Sequence, residues 1–232
     1  MKPSYVVAGI SVVAILIFAG GYLVYKPQQA ADSNLKNVNA TSEPQTSSPS
    51  ESESNNGTAL IRPYSPIIGP EDAPVTIVEF FDPGCEACRA FYPIVKEVLA
   101  NNPDKVRLVL RYAAFHDGSD TVVKMLESAR RQDKFIPVLE ALLEAQPQWA
   151  SHHRAQLEFA WQAAESAGLD RSLAEQQMKD PAMAAILKQE ADDVEAVKVN
   201  QTPTFFVNGM PLMDFSARGL EEMVSARVGD SQ

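Results

Sequence analysis

The chain contains two cysteines, and they stand as Cys85-Glu86-Ala87-Cys88 between two segments of opposite character. Val75 to Phe81 (VTIVEFF) is a continuous β-branched and aromatic run, the pattern of a strand buried on both faces. Glu86 to Asn101 carries Phe91, Ile94 or Val95, Val98 and Leu99 at helical spacing, with Pro93 inside to kink it. The cysteines therefore fall at a strand-to-helix turn. A helix N-terminus presents unpaired N–H groups and about half a positive charge. A thiolate is stabilised there, and the thiolate is the reactive form of cysteine. The pair reads first as a thiol–disulfide redox site. Three other readings stay open. A structural disulfide over so short a loop would remove little chain entropy. A zinc site needs four ligands, yet there is no second C-x-x-C, and His116, His152 and His153 lack finger spacing. The cysteines could also be unrelated core thiols.

Glu79 is the anomaly of the first strand. A carboxylate in a buried strand is costly, and its pKa would be raised. Either it points out at a sheet edge or it is a buried proton acceptor near the thiols. Val106 to Tyr112 (VRLVLRY) alternates as a second strand, with Val106, Leu108 and Leu110 on one face and Arg107, Val109 and Arg111 on the other. From Ser119 to Val199 the pattern is helical almost throughout, with a cap at Ser119 or Asp120 and further caps at Asp170 and Asp180-Pro181. Phe205 to Val207 followed by Asn208-Gly209 signals a hairpin, since Asn-Gly suits a type I′ turn. Met210 to Phe215 would return, and Ser216 would cap a last helix through Arg227. The order is β–α–β, a helical block over about 119–199, then β–β–α. The outer pieces can share one sheet.

The N-terminal quarter differs. Tyr5 to Tyr25 is an uncharged run of 21 residues, long enough to span a bilayer as a helix, with tyrosines near both ends. A cleaved signal peptide would have a shorter apolar core and a small-x-small site. Residues 1–25 are therefore expected to be an uncleaved anchor. Lys2 and the free amine before the run orient the N-terminus to the cytoplasm and the remainder to the extracytoplasmic side, where disulfides persist. Residues 26–63 are rich in Ser, Asn, Thr, Pro and Gln and read as a flexible linker. Residues 64–232 form the folded domain. Residues 1–63 hold four Lys/Arg and four Asp/Glu, so the whole net charge of −10 belongs to that domain. Such a surface disfavours nucleic acid and anionic lipid.

With these residues in view, the chain resembles the thioredoxin superfamily, and within it the DsbA-like periplasmic proteins with a helical insertion. The likeness covers about residues 64–232. Cys85-Glu86-Ala87-Cys88 matches the active-site motif, Glu79 the buried acid six residues before it, Pro93 the proline of the active-site helix, and Thr202-Pro203 the cis-proline loop that faces the sulfurs. The resemblance implies a thioredoxin-like α/β fold with an inserted helical subdomain, behind one transmembrane helix. It implies Cys85 as the attacking thiol, Cys88 as the resolving thiol, and Thr202 and Pro203 as substrate-binding residues. No cofactor and no resident metal are expected. The implied partners are cysteine-containing proteins and a membrane redox protein, either a quinone-linked oxidase or an electron-donating reductase. Glu86-Ala87 departs from the Pro-His of the strongly oxidising members. A carboxylate beside the thiol would raise its pKa and make a milder oxidant. Disulfide formation is the first expectation. Reduction or isomerisation, or copper binding by the two thiols without catalysis, are the alternatives.

Overall fold

The structure, a computed structural model, describes residues 59–150 and 154–230. The expected anchor, most of the expected linker, and His152 and His153 lie outside the described residues. Among those described, no helix is long and apolar enough to cross a membrane.

Five strands form one mixed sheet in the order β1-β3-β2-β4-β5. They are β1 (Ile67–Ile68), β2 (Val75–Phe81), β3 (Val106–Tyr112), β4 (Thr204–Val207) and β5 (Met210–Pro211). Strand β2 lies at the centre, parallel to β3 with Val75 opposite Val106, and antiparallel to β4 with Glu79 opposite Phe205. A continuous apolar run demands such a central place, because both its faces and both its edges are covered. Helix α1 (Glu86–Asn101) is the crossover between β2 and β3, and it runs unbroken through Pro93. The helical block comprises α2 (Ser119–Arg131), α3 (Phe135–Glu144), α4 (Gln146–Trp149), α5 (Leu157–Ser166), α6 (Arg171–Gln177) and α7 (Pro181–Ala196). The last helix is α8 (Ala217–Asp230).

Strand parity decides what each face meets. Val75, Ile77, Phe81, Leu108, Leu110 and Tyr112 share the larger core with Val95 and Val98 of α1, Leu220 and Val224 of α8, and the helical insertion. Glu79 has the same parity and is 1% exposed, so it points into the protein rather than out from an edge. The opposite face holds Val78, Phe80 and Val109 under Leu60, Val194 and Val199. Arg111 is fully buried there. It donates to both Glu190 oxygens at 3.1 and 3.0 Å, to Asp193 Oδ2 at 2.6 Å, and to the Ala59 carbonyl. Arg62 grips the same Asp193 with two bonds of 2.7 and 2.5 Å. Ala59 to Arg62, which composition assigns to the linker, thus lie against the body as a strap.

The caps at Asp170 and Asp180 form as expected, on Leu173 N at 2.9 Å and Ala182 N at 2.9 Å. The start of α2 differs from expectation. Its cap is Gly118, at φ 76°, and the Ser119 hydroxyl turns elsewhere, to Asp82. The hairpin forms with positive φ at Asn208 and Gly209, but the returning strand stops at Pro211. Proline has no N–H to extend a ladder, and the chain then turns so that Phe215 stacks on Phe91 at 4.6 Å.

Candidate active site

The site is built at the C-terminal end of β2, where the strand hands over to α1. Cys85 is the N-cap residue of α1, with φ −79° and ψ 121°. Cys88 lies one turn in and is fully buried. Both are free thiols. From the far side of the sheet the loop before β4 brings in a cis Thr202–Pro203 bond. The Cys85 thiol donates to the Thr202 carbonyl at 3.2 Å. The Asp82 backbone N–H donates to Cys88 Sγ at 3.5 Å. All five residues singled out in the sequence, Glu79, Cys85, Cys88, Thr202 and Pro203, therefore belong to one neighbourhood.

The two thiols are electrostatically unlike. Cys85 is pulled down to about 5, first by a hydrogen bond from the Cys88 thiol, then by the Thr202 side chain and the backbone N–H groups of Cys88 and Ala87. Burial opposes this and is outweighed. Cys88 is pushed far up, chiefly by desolvation, then by its hydrogen bond to Cys85 and the charge of Glu79. Glu79 is raised to about 8 by burial and, to a smaller extent, by Cys85. The Cys85 thiol lies below its ordinary value, so the upward push expected of Glu86 does not decide it. Glu86 is exposed and is not among the leading influences on Cys85.

Several residues that shape the site have no signature in the sequence. Asp82 is fully buried beneath the redox loop, and its carboxylate accepts from five groups. Oδ1 takes Gly84 N at 2.8 Å and Ser119 Oγ at 2.5 Å. Oδ2 takes Phe115 N at 2.7 Å, His116 N at 2.9 Å and His116 Nδ1 at 2.7 Å. Gln146, 1% exposed, reaches the same loop from α4. Only the aspartate's position two residues before a glycine in a turn could have hinted at the first of these. Among the described residues no group of three or more His, Cys, Asp or Glu side chains could hold a metal ion. A cavity of about 360 Å³ between α2 and α7, lined by Phe115, Val123, Leu187 and Val194, does not include the sulfurs.

A dithiol at a helix N-terminus, faced by a cis-proline on a β–α–β…β–β–α sheet, defines a thioredoxin-fold redox-type site. The chain belongs to the thioredoxin family, whose model, described as Thioredoxin, matches residues 62–225. Among solved structures it is similar to a thioredoxin-like oxidoreductase from Silicibacter pomeroyi, at 26% identity and TM-score 0.64, over 75% of this chain and 98% of that one. It shares its fold with alpha-DsbA1 of Wolbachia pipientis, at 16% identity and TM-score 0.66, over 76% and 96% of the two chains. The architecture is thus DsbA-like. Among curated proteins it is 30% identical over 164 residues to a Na(+)/H(+) antiporter NhaA 1 of Mycobacterium sp. (strain KMS), covering 66% of this chain. The chain spans about a quarter of the length of the curated relatives it matches.

Proposed function

We propose that the protein is a membrane-anchored thiol–disulfide oxidoreductase that donates disulfides to exported proteins through Cys85 and Cys88. The observation that carries this reading is the asymmetry of the pair. One thiol is acidic and sits at the helix N-terminus beside the cis-proline loop, while the other lies one turn in, more deeply buried, and is basic. That is the division between a sulfur that leaves or attacks and a sulfur that resolves.

In the oxidised protein, a substrate thiolate attacks Cys85 Sγ and the Cys85–Cys88 bond breaks. Cys88 leaves as a thiolate and takes a proton from Glu79, the buried acid on the same face of the sheet. A second substrate thiolate then attacks the substrate sulfur of the mixed disulfide, and Cys85 leaves as a stabilised thiolate. Two electrons pass to the protein, and a membrane redox partner, a quinone-linked oxidase, removes them. Stabilising the Cys85 thiolate stabilises the reduced pair and so favours donation of the disulfide. The backbone of Thr202 and Pro203 would hold the substrate segment in extended form.

The uncharged run Tyr5 to Tyr25 supports an anchor, residues 26–58 a tether, and the redox chemistry an extracytoplasmic site. Curated relatives named as Na(+)/H(+) antiporters, of whose length this chain matches about a quarter, are in keeping with a membrane setting.

The test is the reduction potential of the purified protein, equilibrated with glutathione buffers and read by mass spectrometry of trapped thiols. A value near about −120 mV is expected for a donor. A value near about −270 mV would make the protein a reductant fed by an electron-donating partner. If no Cys85–Cys88 disulfide forms at any poise, the redox reading fails and copper titration of the two thiols becomes the next experiment.

A further inference from the structure

Gln146 opens the short helix α4 inside the helical insertion, 61 residues in sequence from Cys85, yet its side-chain hydrogen bonds run to the redox loop and α1. Its Nε2 donates to the Pro83 carbonyl at 2.7 Å and to the Cys85 carbonyl at 2.9 Å. Its Oε1 accepts from Arg89 Nε at 2.9 Å. The side chain is buried, and both amide protons and the amide oxygen are engaged. A buried amide so fully committed to two loop carbonyls is expensive to replace.

The Cys85 carbonyl is a sensitive point. Its direction is fixed by ψ of Cys85, and the same rotation sets where the Cys85 side chain stands relative to the first N–H groups of α1. At ψ 121° the sulfur interacts with the N–H groups of Ala87 and Cys88. The carbonyl already accepts the first helical bond, from Arg89 N at 3.2 Å. That bond is long, and Gln146 supplies a shorter second one.

We propose that Gln146 is a positioning residue of the redox site, holding the Cys85 peptide so that Cys85 Sγ stays over the first turn of α1. The inference rests on the redox reading of the site and adds a role for the insertion: it grips the reactive loop. A second grip comes from the start of α2, where Ser119 and His116 bind Asp82 under Gly84.

The groups that influence the Cys85 thiol are the Cys88 thiol and the N–H groups of Ala87 and Cys88 on α1 and the Thr202 side chain, while Glu79 on β2 senses its charge. Gln146 does not titrate, so Gln146→Met leaves all of their charges in place and removes only the two donated bonds and the one accepted from Arg89. Arg89 is exposed, and water replaces its lost partner.

The experiment is the pH dependence of Cys85 alkylation by iodoacetamide in the full reduced chain, with Gln146→Met beside the wild type. The midpoint is expected to rise by about one pH unit, because the N–H groups no longer stay under the sulfur. Gln146→Asn, one methylene too short to span both carbonyls, should move it the same way if the methionine variant folds poorly. Leu142→Ala opens a cavity in the same insertion and removes no hydrogen bond to the loop. It should lower thermal stability and leave the midpoint where it was. An unchanged midpoint in both Gln146 variants would overturn the proposal, as would an equal rise in Leu142→Ala. Disulfide exchange is measured separately in the same samples. Its absence in the wild type would strike the redox reading, whereas the alkylation midpoint tests Gln146 alone.

Discussion

Glu79 stands in the middle of β2 with no protein hydrogen-bond partner, among the described residues, on either carboxylate oxygen. Its folded pKa of about 8 lies above the ordinary 4.5. The stability it contributes is therefore fully present below about 4.5 and is lost as the pH climbs through about 8. Cys85 has the opposite sign, because its folded value of about 5 lies below the ordinary 9.0. Its contribution is complete above about 9 and is lost as the pH falls through about 5. The two partly cancel in the reduced wild type, so the effect of Glu79 emerges only by difference. Urea unfolding of the reduced wild type and of Glu79→Gln at pH 4.5 and pH 8 should show the wild type losing roughly 3–5 kcal/mol relative to the variant. Parallel pH profiles would mean that Glu79 does not titrate in this range. Cys85→Ser should give a difference of the other sign over the same window.

At the scale of elements, the turn between β2 and α1 is a tightly packed junction. A Cβ on Gly84 would lie 2.6 Å from Ser119 Oγ and 2.9 Å from His116 Cβ. Ser119 cannot withdraw without releasing Asp82. Gly84→Ala should cost about 1–3 kcal/mol of stability by chemical denaturation. Gly229→Ala in α8 meets open space and should be neutral or mildly stabilising. Equal effects at the two glycines would contradict this account of the turn. The junction also marks how far the sequence could be read. Helix and strand periods, the Asp170 and Asp180 caps and the Asn208-Gly209 turn are local signals, and they led to the correct elements. The cysteines, Glu79 and Pro203 were recognisable because their spacing and their family likeness are written in the chain. Asp82, Gln146 and Arg111 were not. Their partners lie tens of residues away, and nothing in a polar residue's own neighbourhood says that it will be buried. Strand β1 was missed because two residues give no period, and β5 was overextended because its apolar residues serve the contact of Phe215 with Phe91.

For the molecule as a whole, the two faces of the sheet are secured differently. One is packed almost wholly with apolar side chains, while the other closes over a charged cluster of Arg62, Arg111, Glu190 and Asp193. Breaking a buried charge cluster by removing one member leaves the others desolvated and unpaired. Arg111→Met should therefore destabilise the protein by about 3–5 kcal/mol in guanidinium unfolding at pH 7. A loss below about 1 kcal/mol would mean that the cluster is hydrated or relaxes freely. The strap that enters this cluster has a mechanical consequence. Among the described residues, tension carried along the chain toward Ala59 meets the Arg111 bond to the Ala59 carbonyl and then the forked Arg62–Asp193 pair. Asp193 lies on α7, and Arg111 lies in β3 beside the central strand. A pull there would be shared between a helix and the sheet and would load hydrogen bonds before it could peel apolar contacts.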